Sequence, residues 1–255
     1  MKANVFFLIC MLISAFVFGQ NVVTMSPKEL GEVKVTPPEF RGVKAAPVMT
    51  TDNQLSLINQ YLIKNVEYPE NAKKCFFQGT EVVQLTIDTE GEISDMKVIN
   101  SVCPEIDEEV FRVLETTSGM WSPGFNNGKA VEMEKEISMV FFVSYNKFRT
   151  ANEIFKEKAT KYFNEGNQYL FVKNNPKKAI KSFDKALVYL PYESALLFSR
   201  GFAKHSLNDT EGAEKDWLRM NTLAENGRIQ YNIELIAENY KELEEYQQFQ
   251  NIIKK

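Results

Sequence analysis

The fold of this chain is decided by the stretch between residues 68 and 143, whose last segment reads VEMEKEISMVFFV (131–143). Apolar side chains fall on the odd positions of this segment, with Lys135 as the single exception, while positions 132 to 138 alternate with glutamate or serine. Alternation with a period of two is typical of a strand that has one face on a core and the other in water. The segment therefore predicts one long strand that closes the domain.

A β-hairpin precedes this strand, in the segment TEVVQLTIDTEGEISDMKVIN (80–100). Its first half again places apolar residues at every second position, through Val83, Leu85 and Ile87. The turn DTEGE (88–92) provides a glycine where a positive φ is needed. We therefore predict two antiparallel strands, of which the second runs from residue 93 to residue 100.

Helices are predicted on both sides of the hairpin. Apolar residues at helical spacing over 53–76 predict a helix that Pro69 restarts. After the hairpin, Pro104 and the acidic residues behind it begin a second helix, whose buried stripe includes Ile106 and Val110. This helix returns the chain, so the last strand runs antiparallel to the first and pairs with it. The predicted sheet order is second, first, third, which leaves the last strand at an edge.

These residues together resemble the C-terminal domain of TonB, the periplasmic energy transducer, over about residues 37–145. The motifs that carry the resemblance are Tyr68-Pro69 with Ala72 and Gly79, Ile87-Asp88-Thr89-Glu90-Gly91, Val98-Ile99-Asn100-Ser101, Ile106-Asp107-Glu108-Glu109-Val110, Trp121-Ser122-Pro123-Gly124 and Gly128-Lys129. Upstream, Pro38-Glu39-Phe40 and Gly42 look like the leader of Bacteroidetes-type proteins. The resemblance implies an α+β fold over residues 52–146, a small three-stranded ββαβ domain with a preceding helix.

The resemblance also implies a function, which is protein binding by strand addition. In that family the third strand pairs with a short extended segment of an outer-membrane transporter, in a transport-related role. Main-chain hydrogen bonds give such pairing its affinity, and alternate side chains give it specificity. Carried over here, the partner-binding edge consists of Val131, Glu132, Met133, Glu134, Lys135, Glu136, Ile137, Ser138, Met139 and Val140.

The first residues, MKANVFFLICMLISAFVFG (1–19), predict a signal peptide. Lys2 precedes an apolar run from Val5 to Phe18, which is shorter than the roughly 20 residues of a membrane-spanning helix. Cleavage is expected after Gly19, and an uncleaved anchor is the alternative. The processed chain is therefore expected in the periplasm, where its contact with membranes is indirect. It begins with an extended, proline-interrupted leader over 20–51, with one short strand at 31–35.

Two cysteines remain in the processed chain, in an oxidising compartment. Cys75 and Cys103 lie just beyond the same end of the predicted hairpin, so a disulfide between them is geometrically conceivable. Two separate thiols are the alternative, with Cys75 on the helix before the hairpin. The sequence leaves both arrangements open.

A second, helical region follows over 151–227. Ala179, Phe183 and Ala186 recur 34 residues later as Ala213, Trp217 and Met220, which is the period of tetratricopeptide repeats. The region resembles two degenerate repeats of that family, an all-α stack of helical hairpins, with capping helices over 228–255. Aromatic stripes at helical spacing are usually core, but the family's geometry places along a concave peptide-binding groove the residues Phe163, Asn167, Leu170, Phe198, Phe202 and His205.

The composition excludes several functions. The 255 residues carry 30 lysines and arginines against 34 acidic residues, so nucleic acids and other polyanions are poor partners. His205 is the only histidine, which leaves no histidine pair for catalysis and no multi-histidine metal site. No motif pairs a nucleophile with a base. We expect a binding protein and no enzyme, with no cofactor, metal or small-molecule substrate. An envelope scaffold or assembly factor, in which the repeats bind without energy transduction, is the alternative function.

Overall fold

The structure is a computed structural model that describes residues 34–42, 56–143, 149–225 and 249–250. The described residues belong to one compact unit, Lys34–Lys255. The predicted signal peptide and the first part of the leader lie outside the described residues. So do most of the predicted capping helices.

Short strands and helices alternate along the first half of the chain. In chain order, its elements are β1 (Val35–Thr36), β2 (Glu39–Phe40), α1 (Leu57–Asn65), α2 (Glu70–Lys74), β3 (Gly79–Ile87), β4 (Ile93–Asn100), α3 (Pro104–Glu115), β5 (Trp121–Ser122), β6 (Gly124–Asn126), β7 (Lys129–Val131) and β8 (Met133–Phe141). Helices follow, namely α4 (Ala151–Asn167), a π-helical turn (Gln168–Val172), α5 (Pro176–Tyr189), α6 (Ser194–His205) and α7 (Thr210–Glu225).

The main sheet has three strands in the order β4-β3-β8, and both outer strands run antiparallel to β3. This order agrees with the one expected from chain direction. The pairing of β3 with β8 is regular over its whole length, from Gly79 opposite Phe141 to Ile87 opposite Met133. The pairing of β3 with β4 is interrupted by two register shifts.

One face of this sheet packs against α3. The side chains of Val83, Leu85 and Ile87 are fully buried against the apolar stripe of α3 and against β8, which contributes Ile137 and Phe141. The helix begins with Pro104 in its first turn and carries acidic residues there, as the sequence predicts. The ring nitrogen Nε1 of the buried Trp121 donates to Thr117 Oγ1 at 3.1 Å and closes the end of this core.

The leader takes part in this core, which its sequence does not indicate. Strand β1 pairs with β6, and β2 pairs with β5. Phe40 is buried, and its ring lies 5.2 Å from Trp121 and 5.5 Å from Tyr61. Residues 34–42 are therefore a packed part of the domain and not only an extension before it.

Helices α4 to α7 pair into two hairpins with a core of their own. Gly166 and Gly201 let the helices of each hairpin approach closely, because an added Cβ would lie 2.4 Å from the ring of Phe183 in one hairpin and of Trp217 in the other. Phe249, from the C-terminal segment, is fully buried and packs against Phe198 and Trp217. The small residues and aromatics that repeat in the sequence thus meet inside the helical core.

Candidate functional site

The candidate site is the outer edge of β8. Its backbone groups divide between two directions, because the N–H and C=O of one strand residue point to the same side, and neighbouring residues alternate. The C=O of Thr80 points toward β4, since it accepts a hydrogen bond from Asn100 Nδ2 at 2.7 Å. Its partner across the sheet, Val140, must then point its own N–H and C=O away from β3.

The alternation extends this result along the strand. Val140, Ser138, Glu136 and Glu134 all point their main-chain groups toward the outer edge, and the odd-numbered residues bond to β3. A second contact supports the assignment, because Ser94 Oγ donates to Thr86 O at 3.3 Å, so Thr86 also faces β4. The outward-pointing main-chain groups of β8 thus recur at every second residue.

The predicted edge is shorter than the sequence pattern suggests. Val131 belongs to β7, which forms a hairpin with β6, and Glu132 lies between β7 and β8. The remaining predicted edge residues, 133–140, lie in β8. The reason is the turn at Asn127 and Gly128, which have φ values of 50° and 80°. An Asn-Gly pair is the usual signal for a two-residue hairpin turn, and it is the sequence signal for the hairpin that breaks the predicted strand.

The face of β8 that was expected to meet water is partly covered by the helical region. Glu136 forms an ion pair with Arg219 of α7, and their side chains are only 13% and 20% exposed. The face of β3 that lies away from α3 is buried as well, since Val82 is fully inaccessible. The expectation of one solvated face is therefore wrong around Glu136 and correct for the exposed Glu134 and Ser138.

Further contacts fix the helices to the same end of the sheet. Thr80 Oγ1 donates to the main-chain oxygen of Tyr189 at 3.1 Å, and an added Cβ on Gly79 would lie 2.6 Å from Val188. The rings of Phe142 and Phe155 meet at 5.8 Å. Together with the Glu136–Arg219 pair, these contacts hold α4, α5 and α7 against β3 and β8 at this end of the sheet.

The residues of the predicted repeat groove do not lie together on an open surface. Three of them are buried in the helical core, because Leu170, Phe198 and Phe202 are each at most 7% exposed. Phe163 and Asn167 are half-buried on α4, and His205 is half-buried with its ring 6.1 Å from that of Trp217. Packing of these aromatics between helices, including Phe249 against Phe198, replaces the groove that the helical stripe suggests.

The two cysteines are not joined. Cys75 is exposed at the end of α2, whereas Cys103 is buried at the N-cap of α3, and both are free thiols. The two helix ends turn these side chains to different environments, which corrects the disulfide that the hairpin register allowed. Burial raises the pKa of the Cys103 thiol, and its contact with Glu105 raises that pKa further.

The domain also contains a buried carboxyl group that the sequence pattern does not indicate. Glu81 is only 1% exposed, and its Oε2 accepts a hydrogen bond from the N–H of Val102 at 2.9 Å. Its Oε1 has no hydrogen-bond partner among the described residues. Burial raises the pKa of Glu81 to about 8, and the nearby charge of Asp107 adds to the increase against the lowering effect of the Val102 bond. Glu81 lies on the core face of β3, where an alternating pattern alone predicts an apolar residue.

The described residues therefore define a small α+β domain with an open sheet edge, joined to a compact set of helices. Residues 64–142 match the family model described as "Gram-negative bacterial TonB protein C-terminal". The match covers about a third of the chain and confirms the TonB resemblance for that segment. The tetratricopeptide resemblance of residues 151–227 stays a prediction.

Among solved structures, the chain is similar to the NMR solution structure of Helicobacter pylori TonB-CTD (residues 194-285). The identity is 16%, the TM-score is 0.27, and the alignment covers 35% of this chain and 92% of that one. At this TM-score the likeness carries no argument about the present fold. No curated protein matches the chain.

Two negative observations apply to the described part of the chain. No helix in it is long and apolar enough to cross a membrane. Its histidine, cysteine and acidic side chains form no cluster of three or more that could hold a metal ion.

Proposed function

We propose that this protein binds an extended segment of another envelope protein by adding it as a fourth strand along the outer edge of β8. The proposal places the chain in the periplasm and makes a periplasm-facing segment of an outer-membrane transporter its partner. The helices after β8 act as a tetratricopeptide-like support for the edge. The family match to residues 64–142 supports a protein-binding role for the domain.

One observation carries the choice of edge, which is the contrast between the two outer strands. The pairing of β4 with β3 shifts register at Val82/Val83 and again at Thr86/Ile87. Such bulges twist an edge and disfavour the addition of another strand. By contrast, β8 pairs without a shift, so its outward groups at Glu134, Ser138 and Val140 follow a regular strand spacing.

The test uses proline, which removes one backbone donor and is tolerated at a strand edge. Val140→Pro and Ser138→Pro each remove an outward N–H of β8 while leaving the donors to β3 in place. Binding of synthetic peptides that copy periplasm-facing transporter segments would be measured by fluorescence anisotropy. We expect each substitution to weaken binding at least about tenfold, from the lost hydrogen bond and the steric obstacle.

The matched control is Met96→Pro, which removes an outward donor from the other edge strand, because Met96 pairs with Leu85. This variant should bind as the unchanged protein does. Val140→Thr keeps the donor at the tested position and should also bind normally. If Val140→Pro folds normally by circular dichroism and binds peptide with unchanged affinity, strand addition at β8 is wrong.

A further inference from the structure

The turn between α4 and α5 presents an apolar tip to solvent. Phe171 and Val172 are 49% and 79% exposed, and Val172 is the most exposed large apolar side chain of the described residues. Leu170, one position earlier, is buried in the helical core. Phe171 keeps one side of its ring against the buried Phe202, with 5.8 Å between the ring centres, and exposes the other side. Val172 extends outward from the end of the hairpin.

The tip is held in a defined shape by its own backbone. Lys173 N–H donates to Gln168 O at 3.0 Å, and Asn175 N–H donates to Tyr169 O at 2.7 Å. Asn174 has a positive φ of 46°, and the side chain of Asn175 caps α5 through the N–H of Lys178. A closed turn of this kind presents its side chains with little further ordering cost on binding.

Lysines follow the tip along the exposed side of α5. Residues 168–185 contain five lysines and a single acidic residue, Asp184, in a chain whose net charge is −4. The carboxylate of Asp184 is paired with Arg200 at 2.8 Å. The exposed lysines lie within one sector of the helix and in the turn before it, and they are Lys173, Lys177, Lys178, Lys181 and Lys185.

An aromatic ring lies between the charged and the apolar groups. The ammonium groups of Lys173 and Lys178 lie 4.6 Å and 5.5 Å from the centre of the Tyr169 ring. Tyrosine rings with one apolar and one polar side favour the boundary between water and lipid headgroups. Tyr169 thus contacts the lysines and lies two residues before the exposed apolar pair.

We infer that the α4–α5 turn is a membrane-surface contact that binds the headgroups of anionic phospholipids through its lysines and inserts Val172 and Phe171 between them. Charge complementarity favours this occupant, because each lysine near an anionic leaflet adds to the attraction and shallow apolar insertion adds to it independently. The net charge of the chain disfavours polyanionic partners, but it averages this basic face with an acidic remainder. The inference does not depend on strand addition at β8.

The test is co-sedimentation of the processed chain, from Gln20 onward, with vesicles. The apolar run of residues 5–18 is omitted because it would bind lipid by itself, and every described residue lies beyond it. Vesicles of phosphatidylglycerol with phosphatidylethanolamine should bind the protein, and pure phosphatidylcholine vesicles should bind it far more weakly. Added salt should weaken binding to the anionic vesicles.

Two sets of variants separate charge from insertion. Lys177→Gln with Lys178→Gln should weaken binding about thirtyfold, and Val172→Ser about tenfold. The controls Lys97→Gln and Leu218→Ser remove an exposed lysine and an exposed apolar side chain elsewhere, and they should leave binding unchanged. All of these positions are exposed, so thermal melts should not change.

Several results would overturn the inference. One is equal binding to neutral and anionic vesicles, and another is binding that Val172→Ser leaves unchanged. Capture of soluble polyphosphate without binding to vesicles would assign the lysines to a polyanion instead. A concentration-dependent dimer that Val172→Ser dissociates would show that the tip contacts a second copy of the chain.

Discussion

Replacing the buried Glu81 by glutamine should change how the stability of the protein depends on pH. The folded-state pKa of about 8 lies well above the ordinary value of 4.5, so between these two pH values the folded chain holds a proton that the unfolded chain has released. Stability that depends on this proton is complete below pH 4.5 and is lost as the pH rises toward 8. The unfolded state gains from ionising Glu81, and the folded state does not.

The magnitude follows from the size of the pKa difference. Each pKa unit corresponds to about 1.4 kcal/mol, so the whole pKa difference is worth about 5 kcal/mol of unfolding free energy. Because the unfolded carboxyl is half ionised at the lower end of the window and the folded one at the upper end, the parent should lose about 4 kcal/mol between the two ends through Glu81 alone. Glutamine has nearly the same shape and keeps an oxygen that can accept the Val102 N–H bond, but it does not titrate. As the pH rises from the lower to the upper end of the window, the unfolding free energy of Glu81→Gln should therefore increase by about 4 kcal/mol relative to that of the parent.

Urea denaturation at a series of pH values measures this difference directly. Glu108→Gln removes an exposed carboxylate from α3 and controls for the loss of one negative charge. The decisive quantity is the difference between Glu81→Gln and the parent as a function of pH. If that difference stays constant from pH 4.5 to pH 8, Glu81 titrates as an ordinary carboxylate and the account of its burial is wrong.

Three further predictions concern the packing of the chain. Arg219→Ala removes the ion pair with the mostly buried Glu136 and should cost about 2 kcal/mol in urea denaturation, whereas Lys215→Ala, which removes the exposed pair with Glu211, should cause no measurable change. Gly201→Ala inserts a methyl group against the Trp217 ring and should cost about 2 kcal/mol; an unchanged melting temperature would contradict the close approach of α6 and α7. Because Cys75 and Cys103 are separate thiols, dithiothreitol should leave the melting temperature of the purified protein unchanged, and a marked decrease would indicate a disulfide.

Much of the first domain could be predicted because its signals are local. The alternation through Val83, Leu85 and Ile87 fixes which side of β3 meets a core, and it requires only neighbouring residues. Pro104 at the start of α3 is a similar signal. The hairpin at Asn127-Gly128 also has a local signal. The alternation of the following residues continues through the end of that hairpin, so the pattern alone does not show where β8 begins.

The site was harder to predict because its surroundings come from distant parts of the chain. The ion pair between Glu136 and Arg219 joins residues 83 positions apart, and the periodicity of neither segment predicts it. Leu170, Phe198 and Phe202 fit a groove as well as a core by spacing, and only the packing of the helices decides between them.

By itself, the sequence determined the order of the three main-sheet strands and of the helices between and after them, the side of β3 that faces a core, and the edge position of the last strand. These properties follow from residue spacing and chain direction, which act over a few residues or one connection. The tertiary structure alone decided that the helices cover part of the polar face of β8 and that Glu81 is buried beside Asp107. It also decided that lysines and an apolar tip share one end of the α4–α5 hairpin. Such features depend on which surfaces meet after folding, because desolvation and charge pairing are set by neighbours in space and not by neighbours in sequence.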